Sequence, residues 1–212
     1  MRRLISIIGA ALVVAGCSES PARNTGVYML LDTSGTYTAQ LEKAEQIVNY
    51  TLTRLDGEDS FAVARIDTGS FSERDIVAKV TLDDRPSAAN SQKRVFSETV
   101  HMFLSDVRPA TNTDITGGLL QAVEFLNEKQ PGRKTILLFS DLKEDLQAGY
   151  VRDIPIPLDG FEVVALNVTK LTSDNMDPRE YLDRLDSWKA LVEREGGSWR
   201  VINDLDRLER LL

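Results

Sequence analysis

Cysteine and histidine are almost absent from this 212-residue chain, which contains one of each, Cys17 and His101. A single cysteine excludes an intramolecular disulfide bond. The scarcity of both residues leaves few groups for nucleophilic or general-base catalysis, which often relies on a thiolate or an imidazole ring. We find no Ser-His-Asp set that the sequence would place together. The composition therefore predicts that the chain is not an enzyme.

Basic residues are also scarce, with 25 lysines and arginines against 33 aspartates and glutamates and a formal net charge of -8. Arg2 and Arg3 lie in a segment that we predict to be removed, and without them the net charge is -10. Surfaces that bind nucleic acids or anionic lipids need clustered lysine and arginine. The charge balance therefore argues against a nucleic-acid partner.

The N-terminus holds a run of apolar residues behind a positively charged start. Residues 1–16 combine Arg2 and Arg3 with an apolar core too short for a stable membrane anchor, followed by small residues. This pattern is typical of a secretory signal peptide. Residues 14–17 (VAGC) resemble the cleavage box of bacterial lipoproteins, which implies cleavage before Cys17 and attachment of lipid to this cysteine. A plain signal peptide and an uncleaved anchor are the alternatives.

The residues after the predicted cleavage point favour a short tether at the outer membrane. The residue after Cys17 is Ser18 and not an aspartate, and in this the chain resembles lipoproteins that double-membraned bacteria sort to the outer membrane. The domain would then face the periplasm. Residues 17–25 are mostly polar, contain a proline, are followed by Gly26 and show no periodicity. Even fully extended, such a tether reaches only about 30 Å. We therefore expect the domain, residues 26–212, to work close to the bilayer.

Apolar runs and amphipathic stretches alternate along residues 26–212. This alternation predicts an α/β fold with a doubly wound, mostly parallel six-stranded sheet and helices on both faces. Residues 76–82 alternate in polarity, as expected of an antiparallel strand at an exposed edge. The predicted strands are residues 27–31, 61–66, 76–82, 136–139, 161–168 and 199–202, and a closing helix is predicted at residues 205–212.

Four amphipathic stretches between these strands predict helices with one apolar face. Their predicted core-facing residues are Leu41, Ala44, Ile47, Val48, Leu52 and Leu55, then Val95, Phe96, Val100, Phe103 and Leu104, then Leu119, Ala122, Val123 and Leu126, and finally Tyr181, Leu182, Leu185, Trp188, Leu191 and Val192.

Acidic and hydroxyl residues follow the ends of two predicted parallel strands. Asp32 and Ser34 come after the first strand, Asp141 comes after the strand ending at Phe139, and Thr113 stands just before a helix. Ligands of open α/β sheets bind at the carboxyl ends of the strands. Oxygen donors at that edge suit Mg²⁺ or Mn²⁺. Each of these residues taken alone is equally typical of a helix cap.

Taken together, these residues resemble the metal-ion-dependent adhesion site of the von Willebrand factor A family. The family pattern is Asp-x-Ser-x-Ser, then a threonine in a second loop and an aspartate after a later strand. Two positions depart from it, since Thr36 replaces the usual serine and Leu142 stands where a glycine often follows the last aspartate. The metal ligands that the resemblance implies are Asp32, Ser34, Thr36, Thr113 and Asp141.

The resemblance implies a binding module whose cofactor is a divalent cation, Mg²⁺ in the first place and Mn²⁺ or Ca²⁺ as alternatives. A partner protein would complete the coordination shell with an aspartate or glutamate carboxylate. Glu144 and Asp145, close behind Asp141, would either rim the site or act as the acidic first turn of a helix. Two other functions stay open: a metal-dependent phosphate-ester hydrolase, and a structural domain whose metal site is not functional.

Overall fold

The computed structural model describes residues 23–35, 37, 40–171, 174, 177–204, 208–209 and 211–212. The predicted signal peptide, Cys17, Ser18 and Thr36 lie outside these ranges, as do residues 205–207 and 210 of the predicted closing helix. Within the ranges, we find no helix whose length and apolar character would let it cross a bilayer.

The strands in the described part of the chain form one sheet with the order β3-β2-β1-β4-β5-β6. They are β1 (Thr25–Asp32), β2 (Ser60–Ile66), β3 (Ile76–Thr81), β4 (Arg133–Phe139), β5 (Phe161–Leu166) and β6 (Ser198–Ile202). All neighbouring strands are parallel except β2 and β3, which are antiparallel. The predicted six-stranded α/β sheet with one antiparallel edge strand is therefore confirmed. Strand β5 is shorter than predicted, because Asn167 turns the chain with a φ of 51°.

Helices α1 (Leu41–Arg54) and α2 (Pro86–Ser105) cover one face of the sheet, and α3 (Ile115–Lys129) and α4 (Pro178–Arg194) cover the other. Local sequence sets where these helices begin. Pro86 stands at the start of α2, where its missing N–H is not needed. The Asp114 carboxylate accepts a hydrogen bond from the Gly117 N–H and caps α3. Leu208, Leu211 and Leu212 pack against the core beneath α1 and α2.

The predicted core faces of the helices are correct except at two positions. Val95 is 63% exposed and Leu182 is 56% exposed. Each lies one residue away from the row that faces the sheet, which in α2 contains Phe96 and Val100. A neighbouring position is rotated by about 100° around a helix. An apolar side chain next to the sheet-facing row can therefore point to solvent, even when its position in the sequence seems to extend that row.

The connection from β4 to β5 contains no helix along residues 140–160, all of which are described. The interpretation of Glu144 and Asp145 as the first turn of a helix is therefore wrong. Leu142 has a φ of 65°, which no right-handed helix accommodates. Further along the segment, Ile156 and Leu158 fill the core where a helix would otherwise pack.

The carboxyl ends of β1 and β4 meet at the centre of the sheet, where Leu31 pairs with Phe139. After β1 the chain turns to one side of this pair, towards β2, and after β4 it turns to the other side, towards β5. Such a reversal of strand order leaves a crevice in which open α/β sheets bind ligands. The loops after β1 and β4 border this crevice.

Candidate metal centre

The Asp32 carboxylate lies at the end of β1 and is completely buried. Its Oδ1 accepts a hydrogen bond of 2.8 Å from the Ser34 N–H, and its Oδ2 accepts one of 2.6 Å from the Ser140 hydroxyl. A carboxylate has about four lone-pair directions. Two hydrogen bonds therefore fix the orientation of Asp32 and leave capacity for a further partner.

The loop after β4 is shaped by Ser140 and a left-handed residue. Asp141 is 2% exposed, and its Oδ1 accepts a 2.9 Å hydrogen bond from the Lys143 N–H. The Leu142 N–H donates to Ser140 Oγ at 3.0 Å. The φ of 65° at Leu142 explains why a glycine suits this position, since β-carbon crowding makes left-handed backbone unfavourable for other residues.

The loop before α3 is hydrogen-bonded to both the loop after β4 and the loop after β1. The backbone of Thr113 exchanges hydrogen bonds of 2.8 and 2.9 Å with that of Asp145, in the loop after β4. The Ala110 N–H donates to the Thr33 carbonyl at 2.8 Å, which joins the same region to the loop after β1. Together with the hydrogen bond between Ser140 and Asp32, these contacts link each of the three loops to the other two.

The structure thus brings Asp32, Ser34, Thr113 and Asp141 to one corner of the sheet, and Thr36 lies outside the described residues. Of the two expected rim residues, Asp145 is held beside Thr113 by its backbone. The Glu144 carboxylate instead accepts a 2.8 Å hydrogen bond from the Thr116 N–H in the first turn of α3. Glu144 therefore provides a hydrogen-bond acceptor for the N-terminus of α3, a helix that comes before Glu144 in the chain.

The chemistry of this donor set fits a hard divalent cation. Two carboxylates, those of Asp32 and Asp141, are buried at the ends of adjacent strands, and carboxylate oxygens are ligands that a hard divalent cation prefers. Within the described ranges, no lysine or arginine forms an ion pair with Asp32. The same ranges contain no group of three or more acidic, histidine or cysteine residues that could hold a metal ion. The candidate set does not count as such a group, because it has only two acids and its other members are hydroxyl residues.

Helix α4 holds the loop after β4 through two donors that the sequence analysis missed. Arg184 donates from Nε to the Asp141 carbonyl at 3.0 Å, and Trp188 donates from Nε1 to the Leu142 carbonyl at 2.9 Å. The guanidinium of Arg184 also forms two hydrogen bonds with Asp174, of 3.0 and 2.8 Å. These bonds hold the pKa of Asp174 below its usual range and raise that of Arg184. The spacing of four residues between Arg184 and Trp188 puts both side chains on one face of α4, but it does not predict that they contact the loop after β4.

Arg152 supports the loop before α3 in a similar way. Its guanidinium pairs with the buried carboxylate of Asp114 and donates to the Ser70 carbonyl at 2.9 Å. The hydrogen bonds to Asp114 raise the pKa of Arg152. One residue from the β4–β5 segment therefore joins the loops that follow β2 and α2. No sequence signal predicts this pair, since its members lie 38 positions apart in irregular segments.

The far end of the loop after β1 is anchored by Tyr37. Its ring is buried against Phe139, with 5.1 Å between ring centroids, and its hydroxyl donates to the Asn167 carbonyl at 2.6 Å. Burial raises the pKa of Tyr37, so the hydroxyl stays protonated at all physiological pH values. Both ends of this loop are thus fixed to the sheet.

Comparison with known proteins gives one match for the N-terminus. Residues 1–18 match the prokaryotic membrane lipoprotein lipid attachment site. The match includes Cys17 and supports a lipid-anchored protein of the cell envelope. No curated protein matches the chain.

Solved structures share the fold of the domain. A von Willebrand factor type A protein from Catenulispora acidiphila is 17% identical, with a TM-score of 0.53 over 88% of this chain and 40% of that one. The open conformation of the pilus adhesin SpaC from Lactobacillus rhamnosus GG is 15% identical, with a TM-score of 0.58 over 91% and 29%. A mutant PilB minor pilin from Streptococcus sanguinis is 13% identical, with a TM-score of 0.53 over 92% and 61%.

The chain spans less than two thirds of the length of each of these three proteins. At such low identities the likeness shows the fold alone. That fold is the von Willebrand factor A fold, and the resemblance noted in the sequence is confirmed at this level.

Proposed function

We propose that this lipoprotein with a von Willebrand factor A fold is a metal-dependent protein-binding module of the bacterial cell envelope. In this proposal it binds an acidic group of a partner protein through a divalent cation, with Mg²⁺ as the first choice. The observation that carries the proposal is the pair of buried carboxylates, Asp32 and Asp141, at the adjoining ends of β1 and β4. Ser140 ties the two loops together at this point.

The proposed ligands are the carboxylates of Asp32 and Asp141 and the hydroxyls of Ser34, Thr36 and Thr113. When bound, a divalent cation supplies positive charge and an open coordination position that suit a carboxylate. Because the protein contributes only two negative charges, they balance the charge of the cation without exceeding it, and a carboxylate from a partner can still bind at the open coordination position. The hydrogen bonds to Asp32 hold its carboxylate oriented before any ion binds.

We further propose that the module is anchored through lipid on Cys17, in the outer membrane and facing the periplasm. Strand β1 begins at Thr25, the last residue of the predicted tether, and ends at Asp32. At about 3.3 Å per residue, the strand separates its two ends by about 23 Å. The candidate site therefore lies at the end of the sheet opposite the tether, and a partner can reach it from the side away from the bilayer.

A binding role is favoured over an enzymatic one by the surroundings of the sole histidine. His101 lies on α2 with its side chain 62% exposed, and its Nδ1 is 3.0 Å from the Glu45 carboxylate of α1. The sole cysteine belongs to the lipid attachment site. We therefore propose that the chain is not an enzyme. Release of phosphate from a generic phosphate ester, dependent on metal and abolished by Asp32→Ala, would contradict this.

Calorimetry on the detergent-solubilised full chain tests the metal dependence. We expect Mg²⁺ and Mn²⁺ to bind, and Asp32→Ala to weaken binding by at least about ten-fold. The matched control is Asp183→Ala, which removes an exposed aspartate of α4 and leaves binding unchanged. Absence of binding by the unaltered chain would instead favour a structural domain with a non-functional site.

The partner chemistry is tested with a capped glutamate peptide. We expect it to bind the full chain in the presence of saturating Mg²⁺ and not after addition of EDTA. The same peptide with glutamine in place of glutamate should not bind in either condition. Equal binding of the two peptides would show that a carboxylate is not what the site recognises.

A further inference from the structure

A groove lies between the edge strand β3 and helix α2, which packs beside it. The volume of the groove is about 440 Å³, and most of its lining is apolar or uncharged, with Ala78 and Val80 on the strand and Val95, Phe96 and Thr99 on the helix. Ligand sites in proteins commonly have volumes of about 300–1,000 Å³. None of the lining residues belongs to the candidate metal centre, so the groove is a separate feature of the surface.

Strand β3 lies at the edge of the sheet, and β2 is its neighbour there. In an antiparallel pair, the N–H and C=O groups of every second residue point away from the neighbouring strand. In the described part of the chain, no backbone group of Val77–Val80 forms a hydrogen bond with a segment other than β2. The outward N–H and C=O groups of β3 are therefore available to another extended chain.

The side of α2 that borders the groove carries no charged residue. Ala88, Ser91, Val95, Thr99 and Met102 follow one another at spacings of three or four residues and therefore lie along one side of the helix. Val95 is 63% exposed and Met102 is 65% exposed. The outward side of a surface helix usually carries polar and charged residues. An uncharged stripe with two exposed apolar side chains instead indicates a surface that another chain covers.

Lys79 determines which charge an added chain should carry. Among the described residues that line the groove, Lys79 is the one that is charged. Its partner in β2 is Ala62, which belongs to the core on the α3 side, so the Lys79 side chain points to that face of the sheet. Lys79 lies 3.1 Å from Glu73, but their side chains are 48% and 82% exposed. Such exposed pairs contribute little, so Lys79 can also attract a carboxylate from a neighbouring strand.

We propose that an extended segment of a partner protein binds at this edge as a seventh strand, paired with β3 and covered by α2. Because side chains of a strand alternate between its two faces, the apolar residues of the segment enter the groove below α2. An acidic residue between them lies beside Lys79 on the other face. Backbone hydrogen bonds to β3 supply affinity, and the alternating side chains supply specificity. The proposal stands whether or not the metal centre binds an ion.

A second copy of this chain suits the edge less well than a different protein does. Strand β3 has six residues, and Lys79 lies near its middle. Antiparallel pairing of two copies would bring their Lys79 side chains close together on one face of the sheet. Like charges opposite each other destabilise a sheet, and lysine in an edge strand is a common protection against such pairing. A partner with an acidic residue at this position avoids the repulsion.

The test uses the detergent-solubilised full chain with EDTA present, so that the candidate metal centre takes no part. The probe is the capped pentapeptide Thr-Val-Glu-Val-Thr. Its matched control carries N-methyl groups on the three central residues, which remove backbone donors but keep the side chains. We expect the probe to bind in calorimetry and to slow amide hydrogen exchange within Val77–Val80. The methylated control should bind at least about ten-fold more weakly. Failure of the probe to bind, or equal binding of the two peptides, would overturn the proposal.

Two variants distinguish β3 from the opposite edge of the sheet. Val95→Ser removes an apolar contact of the groove and should weaken binding of the probe about three- to five-fold. Val201→Ser changes a residue of β6 that is 38% exposed, at the other edge, and should leave binding unchanged. If Val201→Ser weakens binding as much as Val95→Ser does, the groove beside β3 is not the site.

The acidic residue of the partner is tested by exchanging charges. Lys79→Glu should weaken binding of the probe about three-fold and strengthen binding of the same peptide with lysine in place of glutamate by a similar factor. Lys189→Glu, which changes an exposed lysine of α4, should alter neither affinity. If Lys79→Glu also alters neither affinity, the proposed chemistry of the partner is wrong.

Sedimentation equilibrium distinguishes a partner protein from a second copy. We expect the full chain in detergent to be a monomer, with and without the probe. A dimer that the probe dissociates would show that a second copy occupies β3, and this result would overturn the proposal.

Discussion

Ser140 donates a hydrogen bond of 2.6 Å to the Asp32 carboxylate, although the two residues lie 108 positions apart in the chain. The same hydroxyl oxygen accepts the Leu142 N–H at 3.0 Å. A single side chain therefore joins the ends of β1 and β4 and also sets the path of the loop that carries Asp141. If these loops hold a cation, Ser140 orients its ligands without being one of them.

We predict that Ser140→Ala weakens Mg²⁺ or Mn²⁺ binding by about ten-fold, because residues that orient metal ligands contribute by this order. The variant should also be less stable by about 1–3 kcal/mol, since the Leu142 N–H loses its acceptor in a buried place. Calorimetry and urea unfolding measure the two effects.

Ser105→Ala is the control, because Ser105 donates only to the backbone of its own helix. It should change neither quantity measurably. A Ser140→Ala chain that binds metal as tightly as the unaltered chain would show that the contact between Ser140 and Asp32 does not serve the site.

We predict that Trp188→Phe loosens the loop after β4. The substitution keeps most of the buried ring but removes the N–H that donates to the Leu142 carbonyl. The free energy of unfolding should fall by about 1–2 kcal/mol, and the affinity for metal should fall with it. Urea unfolding with and without Mg²⁺ measures both.

Trp199→Phe is the matched control, since Trp199 is only partly buried and its indole donates no hydrogen bond within the described residues. It removes the same atoms without touching the loop. If both variants lower the stability equally and leave metal affinity unchanged, the hydrogen bond from Trp188 does not position the site.

The fold could be predicted because its signals are local. Apolar runs at β1, β2 and β4, and polar alternation at β3, each determine an element without reference to the rest of the chain. The errors at Val95 and Leu182 have a local cause as well. Both are apolar residues next to the sheet-facing row of a helix, so the sequence makes that row look wider than it is.

The supports of the candidate site could not be predicted in the same way. Arg152 pairs with Asp114 from an irregular segment, and Arg184 reaches both Asp174 and the Asp141 carbonyl. Isolated charged residues are common on surfaces, and only the packing of distant segments buries these ones. The absence of a helix after β4 likewise depends on the backbone of Leu142 and on how the segment packs.

We predict that Gly117→Ala is destabilising, although alanine usually stabilises a helix relative to glycine. A β-carbon at Gly117 would lie 2.6 Å from the Ser70 carbonyl oxygen and 2.6 Å from Asp114 Oδ2. Backbone cannot yield easily, and Asp114 is fixed by Arg152. We expect a loss of about 1–3 kcal/mol, measured by urea unfolding.

Gly118→Ala is the control for this prediction. Its β-carbon would lie 2.9 Å from a terminal methyl of Leu30, which can move by a small rotation. We expect a change close to zero, since the gain in helix propensity offsets the repacking. Equal effects of the two substitutions would mean that contact with Ser70 and Asp114 is not what destabilises Gly117→Ala.

The pairing of Asp174 with Arg184 should make stability depend on pH in the acid range. The hydrogen bonds from Arg184 lower the pKa of Asp174 in the folded state. A group whose pKa is lower in the folded than in the unfolded state stabilises the fold when it is ionised. This contribution is complete above the unfolded pKa of about 3.9 and is lost as the pH falls through the lower, folded value.

We therefore expect Asp174→Asn to be less stable than the unaltered chain at pH 7, with a difference that narrows as the pH falls below about 4. Urea unfolding from pH 7 downwards measures this difference, and effects of other carboxylates cancel because both chains share them. Asp183→Asn, an exposed aspartate on α4, should show no such trend. A difference between Asp174→Asn and the unaltered chain that stays constant down to the lowest pH would mean that Asp174 stabilises the loop by packing rather than as an anion.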